Sequence, residues 1–132
     1  MSTVRILLDT HVLLWAVREP AQLSPTARAL LNQSDVTVLV SAVSVWEMAT
    51  KARLGKLPEA EPLLADMHTV VDQLKVTPLA VTHAHAALGG SLSWDHRDPF
   101  DRLLAAQSIL EEAPLVTADR ALAGLPGLST FW

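Results

Sequence analysis

The chain has 132 residues, 50% of them hydrophobic and only 18% charged, with no cysteine and a formal charge of −4. That composition excludes a disordered chain, a disulfide scaffold, a thiolate metal site and a protein that coats nucleic acid by bulk positive charge. It is compatible with an enzyme that meets phosphates through bound cations, and it predicts one domain over residues 1–132, with its elements covered on more than one side.

The opening run "MSTVRILLDTHVLLWA" is broken by Asp9 and His11, and no small-residue cleavage site follows it. It reads as a first strand, residues 3–8, and not as a signal sequence. No stretch approaches the roughly 18 apolar residues of a membrane span, so a cytoplasmic protein with no membrane partner is expected. "HVLLWAV" and "LSPTARALLNQ" are helical material, the second opened by the Ser24-Pro25 capping signal. "VTVLVS", residues 36–41, is a second strand, and "SVWEMATKARLG", residues 44–55, a helix closed by Gly55. Residues 61–75 predict a helix, "KVTPLA" a weak strand, and "THAHAALGG" a short helix ended by Gly89 and Gly90. "DPFDRLLAAQSILEE", residues 98–112, is a helix, "PLVTAD" a strand and "GLSTFW" a last edge strand.

Strands separated by helices require crossovers, so the expected fold is α/β: a mostly parallel sheet of about five strands with helices on both faces. Such sheets bind ligands beyond the carboxyl ends of their strands. Asp9 and Asp119 fall at two of those ends, and Glu47 falls early in the helix after the second strand. Asp98 and Asp101, three apart, open a helix and share a face of it.

Each acid also has a structural reading. Asp9, Asp98 and Asp119 suit helix N-caps, while Glu47 completes an S-x-x-E capping box with Ser44 or pairs with Lys51 four residues on. Caps alone do not require all these acids to gather at one edge of one sheet. Gathered there, they would repel one another unless a cation compensates them, and Mg²⁺ or Mn²⁺ with its oxygen ligands does so. Such a site polarises a phosphate oxygen and lowers the pKa of a bound water, which is the chemistry of phosphodiester hydrolysis.

The segments "LLDTHVLLWA", "SAVSVWEMATKARLGKL", "HRDPFDRLLAAQS" and "LVTAD", in this order and spacing, resemble a PIN-domain protein of the VapC type, the ribonuclease toxin of bacterial toxin–antitoxin pairs. The resemblance runs from about residue 4 to the C-terminus. It implies a three-layer α/β/α fold, a homodimer, Mg²⁺ or Mn²⁺ dependence, endonucleolytic cleavage of RNA, and a VapB-type antitoxin that inserts a segment near the active site. By motif position it gives Asp9, Glu47, Asp101 and Asp119 as catalytic, metal-binding acids, with Asp98 and Thr10 in support.

Arg97 and Arg102 either meet RNA phosphates or pair with Asp98, Asp101 or other neighbouring acids. Lys51, Arg53 and Lys56 read as a solvated helix face or partner surface, Trp15 and Trp46 as core or dimer contacts, and the histidines of "THAHA" as a surface face. A phosphotransfer or phosphatase-like α/β domain also places an Asp after its first strand. Such a domain normally has a second acid two residues on or a late lysine, whereas here His11 follows and no lysine occurs after Lys75. A catalytically silent, partner-binding PIN domain is the remaining alternative; it would be favoured by a missing acid, and none is missing.

Overall fold

The computed structural model describes residues 4–132, so Thr3, the first residue of the first predicted strand, lies outside it. In chain order the elements are β1 (Val4–Leu8), α1 (Thr10–Arg18), α2 (Pro25–Leu31), β2 (Val36–Ser41), α3 (Ala42–Arg53), α4 (Glu61–Ala65) and α5 (Met67–Leu74). Then follow β3 (Thr77–Leu79), α6 (His83–Ser91), α7 (Pro99–Glu111), β4 (Leu115–Val116), α8 (Arg120–Ala123) and β5 (Thr130–Phe131). The strands form one five-stranded sheet, order β3-β2-β1-β4-β5, with every pairing parallel.

Side chains alternate between the two faces of a strand, and both faces here are apolar. Ile6, Leu8, Val38 and Val40 pack with Val12 and Leu13 of α1, Ala27 of α2, Met48 of α3, Leu63 of α4 and Val70 of α5. Leu7 and Leu39, with Leu115 of β4, pack on the opposite side with Leu104 of α7 and Leu122 of α8. The fold is the three-layer α/β/α arrangement expected from the sequence. The chain leaves β1 toward β2 and β3 on one side and returns to β4 and β5 on the other, so strand order reverses at β1. In open parallel sheets that switch point opens a crevice beyond the carboxyl ends.

Several boundaries differ from the sequence reading. Helix α3 is capped by Ser41, the last residue of β2, whose Oγ accepts from the Val43 N–H at 2.9 Å. Strand and helix join with no loop, so Ser44 and Glu47 lie inside the helix and form no capping box. Residues 61–75 divide at Asp66, whose backbone (φ −148°, ψ 53°) is not helical and whose side chain caps α5 by accepting from Thr69 N–H. Of "PLVTAD" only Leu115 and Val116 are strand.

Helix α6 runs through Gly89 and Gly90 to Ser91. A Cβ at position 89 would stand 3.3 Å from Leu103 Cδ1 and 3.4 Å from the Arg102 carbonyl oxygen. Gly89 therefore permits the close approach of α6 to α7, where the sequence suggested a helix stop. Gly55, at φ +73°, does close α3 as expected.

His85 is buried, not part of a surface face. Its Nδ1 accepts from the Thr82 N–H at 3.0 Å and faces Gln107 Nε2 at 3.2 Å. The proton then resides on Nε2, which donates to Glu111 Oε2 at 2.9 Å. That bond, and then Arg5, hold the Glu111 carboxyl below the usual glutamate range.

Candidate active site

Asp9 follows the last residue of β1 and caps α1. Its Oδ1 accepts from the Thr10 N–H at 2.7 Å and its Oδ2 from Thr117 Oγ1 at 2.6 Å. The second bond follows from the sheet register: Leu8 pairs with Val116, so the next residue of each strand meets the other beyond the strand ends. Thr117 Oγ1 also accepts from the Asp119 N–H at 3.0 Å, which ties the first and last acids through one hydroxyl. Asp119 itself caps α8, accepting from the Ala121 N–H at 2.9 Å. Burial pushes the Asp9 carboxyl above the ordinary aspartate value, with the Thr117 and Thr10 bonds opposing it.

Glu47 is 3% exposed. Thr10 Oγ1 donates to its Oε1 at 2.6 Å and lies 3.0 Å from Ser44 Oγ, while Lys51, one turn on, forms an ion pair with Oε2. Thr10, the residue after the first acid, is thus hydrogen-bonded to the second candidate acid. Burial works against the Lys51 charge, but the Glu47 bond and the negative charge of Glu47, Asp98 and Asp101 outweigh it and hold the ammonium's pKa above the ordinary lysine value.

Asp98 is the N-cap of α7, its Oδ1 accepting from the N–H groups of Phe100 (2.9 Å) and Asp101 (3.3 Å). Asp101, the third helical residue, accepts from His96 Nε2 through Oδ2 at 2.7 Å. Its pKa is pushed up to about 6, first by burial and then by the negative charge of Asp98, Asp9 and Glu47, against the His96 bond.

These side chains line one cleft of about 330 Å³, formed by Asp9, His11, Trp15, Glu47, Lys51, Asp98, Asp101, Ala118 and Asp119. All the acids singled out by the sequence are brought together at the switch point. A larger hollow of about 740 Å³ lies elsewhere, among Leu23, Leu31, Val36, Leu74 and Val76, and its lining carries no carboxylate. Among the described residues no three His, Asp or Glu side chains already stand as a metal-ligand set. Each carboxylate is instead held by its own protein partner: Thr117, Lys51, His96 or a backbone N–H. The donor chemistry nevertheless fits a hard divalent cation, because the donors are carboxylate oxygens in one cleft whose negative charge already raises Asp101.

The PIN-domain family model matches residues 6–128. This chain belongs to the PIN-domain family. Within it the chain is of the VapC type: it is 33% identical to ribonuclease VapC22 of Mycobacterium tuberculosis over 122 residues, 92% of this chain and 91% of that protein. Its fold is similar to VapBC2 from Rickettsia felis bound to a promoter DNA fragment (TM-score 0.69, 17% identity, 97% of this chain and 98% of that one). It is also similar to FitAcB from Neisseria gonorrhoeae (TM-score 0.67, 20% identity, 96% of each chain).

The two arginines part company. Arg102 is half-buried and pairs with no acid: its guanidinium donates to the carbonyl oxygens of Gly89, Leu92, Trp94 and His96 at 2.7–2.9 Å. It pins the loop between α6 and α7, and thereby the His96 that holds Asp101. Arg97 is exposed. Trp15 packs against the core and also lines the cleft, whereas Trp46 is 54% exposed, edge-on to Phe100 with centroids 4.7 Å apart, and is no core residue. Sequence reasoning passed over Thr117. The signal was present in "LVTAD", since a parallel partner of β1 places the residue after Val116 beside Asp9.

Proposed function

We propose that this VapC-type PIN domain is a Mg²⁺- or Mn²⁺-dependent endoribonuclease and the toxin of a toxin–antitoxin pair, acting as a homodimer restrained by a VapB-type antitoxin. The observation that carries the reading is the gathering of Asp9, Glu47, Asp98, Asp101 and Asp119, from four separate segments, on one cleft at the sheet's switch point. Family membership and the relative named ribonuclease VapC22 support it, and the solved neighbours with VapBC and FitA–FitB names support the paired partner. A phosphotransfer reading lacks its usual companions, since His11 stands two residues after Asp9 where a second acid would be needed and no lysine follows Lys75.

Asp9, Glu47, Asp101 and Asp119 would hold a divalent cation, which would supply positive charge to polarise a phosphate oxygen and to lower the pKa of a water. The chain's own residues fix where that charge sits. Thr117 holds Asp9 and the Asp119 backbone in one frame, Thr10 aims Glu47, and the first turn of α7 presents Asp101 beside Asp98. Negative charge built into a half-buried cleft costs folding energy that a bound cation returns.

The test is cleavage of a mixed RNA substrate by the purified chain with Mn²⁺ and with EDTA, alongside Asp9→Asn and Asp101→Asn. Cleavage with Mn²⁺ that EDTA and either substitution abolish is expected. Cleavage that survives EDTA would overturn the metal assignment, and no cleavage with Mn²⁺ would overturn the enzyme. Growth arrest on expression alone, relieved by a small co-encoded partner, is the matching expectation in cells.

A further inference from the structure

The acid cleft contains a cation of its own. Lys51 lies four residues beyond Glu47 on α3, so its ammonium returns over the same helix face and lines the cleft with Asp9, Asp98, Asp101 and Asp119. An ordinary i,i+4 pair is solvent-exposed and contributes little. This one joins a Glu47 side chain that is 5% exposed to a Lys51 side chain that is 29% exposed. The two oxygens of Glu47 therefore face different worlds. Oε1 accepts from the buried Thr10 hydroxyl, and Oε2 is paired with the ammonium of the half-buried Lys51. Asp9 and Asp98, by contrast, are held by neutral donors. A cation that approaches Oε2 of Glu47 meets the ammonium already bound there.

We propose that Lys51 is a positioning residue, the resident counter-cation of the metal-free site, which keeps Glu47 buried and aimed while competing with the divalent cation for Oε2. The inference rests on reading the cleft as a divalent-cation site. It gives Glu47's share in the lack of a ready ligand set among the described residues: Glu47 is paired with a protein cation, as the other acids are held by Thr117, His96 or backbone N–H groups. A merely structural lysine predicts the opposite sign. Loss of a structural support disorders the acids and weakens metal binding, whereas loss of a competitor strengthens it.

The experiment uses the full chain, without RNA, and Mn²⁺ alone as probe, with binding followed by the electron paramagnetic resonance of free Mn²⁺. Wild type, Lys51→Met, Lys51→Gln, Lys51→Arg and Asp9→Asn are compared, and melting is recorded in EDTA and in Mn²⁺. Lys51→Gln keeps a hydrogen-bond donor for Oε2 without the charge, and carries the same expectation if the methionine variant does not fold. Removal of the charge is expected to tighten Mn²⁺ binding about tenfold, the equivalent of one charge-assisted hydrogen bond no longer displaced. The charge-free variants should also melt lower in EDTA and gain more from Mn²⁺, while Lys51→Arg binds no tighter than wild type. Equal or weaker binding by both charge-free variants, with wild type binding and Asp9→Asn impaired, overturns the competition and leaves the cation site standing. If neither wild type nor the Lys51 variants bind Mn²⁺ better than Asp9→Asn, the cation site itself falls, and the competition with it.

Discussion

Asp101→Asn in metal-free buffer tests whether the cleft is a charge site lacking its cation. The Asp101 side chain is 14% exposed, and its pKa is raised from 3.8 to about 6 by burial and by Asp98, Asp9 and Glu47. A group that binds its proton more tightly in the folded than in the unfolded state makes stability rise as pH falls, here between about 7 and 4. Above that window the ionised side chain costs the fold at most about 3 kcal/mol, and about half of that after screening by solvent on the cleft side. Asparagine cannot ionise but still accepts from His96 Nε2, and it gives up roughly 0.5 kcal/mol of favourable charge in the first turn of α7. In EDTA at pH 8 the variant should therefore be more stable than wild type by about 1 kcal/mol, or about 4 °C in melting temperature. The gap should close toward pH 4, and Mn²⁺-dependent cleavage should be lost throughout. Scanning calorimetry or dye-monitored melting across pH 4–8 reads it. A variant less stable than wild type at pH 8, or a gap that ignores pH, would refute the argument that mutual repulsion burdens this cleft.

Asp98→Asn should melt no lower than wild type and keep most of its nuclease activity, since asparagine accepts the Phe100 and Asp101 N–H groups equally well; Asp98→Ala should lose about 1 kcal/mol relative to Asp98→Asn in a denaturant titration. Arg102→Lys should cost about 2–4 kcal/mol, because an ammonium cannot serve four carbonyl oxygens, yet leave the salt dependence of RNA binding by the folded fraction unchanged. Arg97→Ala should instead leave the melting temperature alone and flatten that salt slope by about 0.7, the share of one phosphate contact on a single strand. His85→Phe strands the Thr82 N–H, Gln107 and Glu111, and should cost about 2–4 kcal/mol by chemical denaturation without changing the Mn²⁺ affinity of the folded protein.

What was legible in the sequence was whatever local pattern controls. Apolar runs gave β1 and β2, and the Ser24-Pro25 signal gave the start of α2, where Ser24 Oγ accepts from the Ala27 N–H at 3.0 Å. Strand ends gave the edge where the acids meet. What escaped depends on partners that carry no local signature. Arg102 is satisfied by backbone carbonyls, which every residue possesses, so no side-chain pattern announces them. His85 is buried because Gln107 and Glu111, four apart on α7, present one face to it across the α6–α7 contact that Gly89 makes close. The S-x-x-E spacing at Ser44 was real but idle, because β2 runs straight into α3 and Ser41 had already supplied the cap.

Capping and ligation look like rival explanations for Asp9, Asp98 and Asp119, but the geometry makes the two compatible. A carboxylate has two oxygens and about four acceptor sites. Asp98 and Asp119 each spend Oδ1 on the first turn of the helix they open, which holds the other oxygen at the cleft, and Asp9 divides its two oxygens between Thr10 and Thr117. A helix start after a strand is where a parallel sheet's crevice lies, and its N-terminal partial charge favours the ionised form. At Asp9 and Asp119 the residue that ends the strand's turn and begins the helix is thereby anchored by the fold at the cleft, and at Asp98 the loop after α6 brings a cap to the same place. For these three positions alanine removes anchor and charge together, while asparagine removes charge alone. The difference between the two substitutions, measured at each acid for stability and for Mn²⁺ binding, separates what the fold needs from what the chemistry needs.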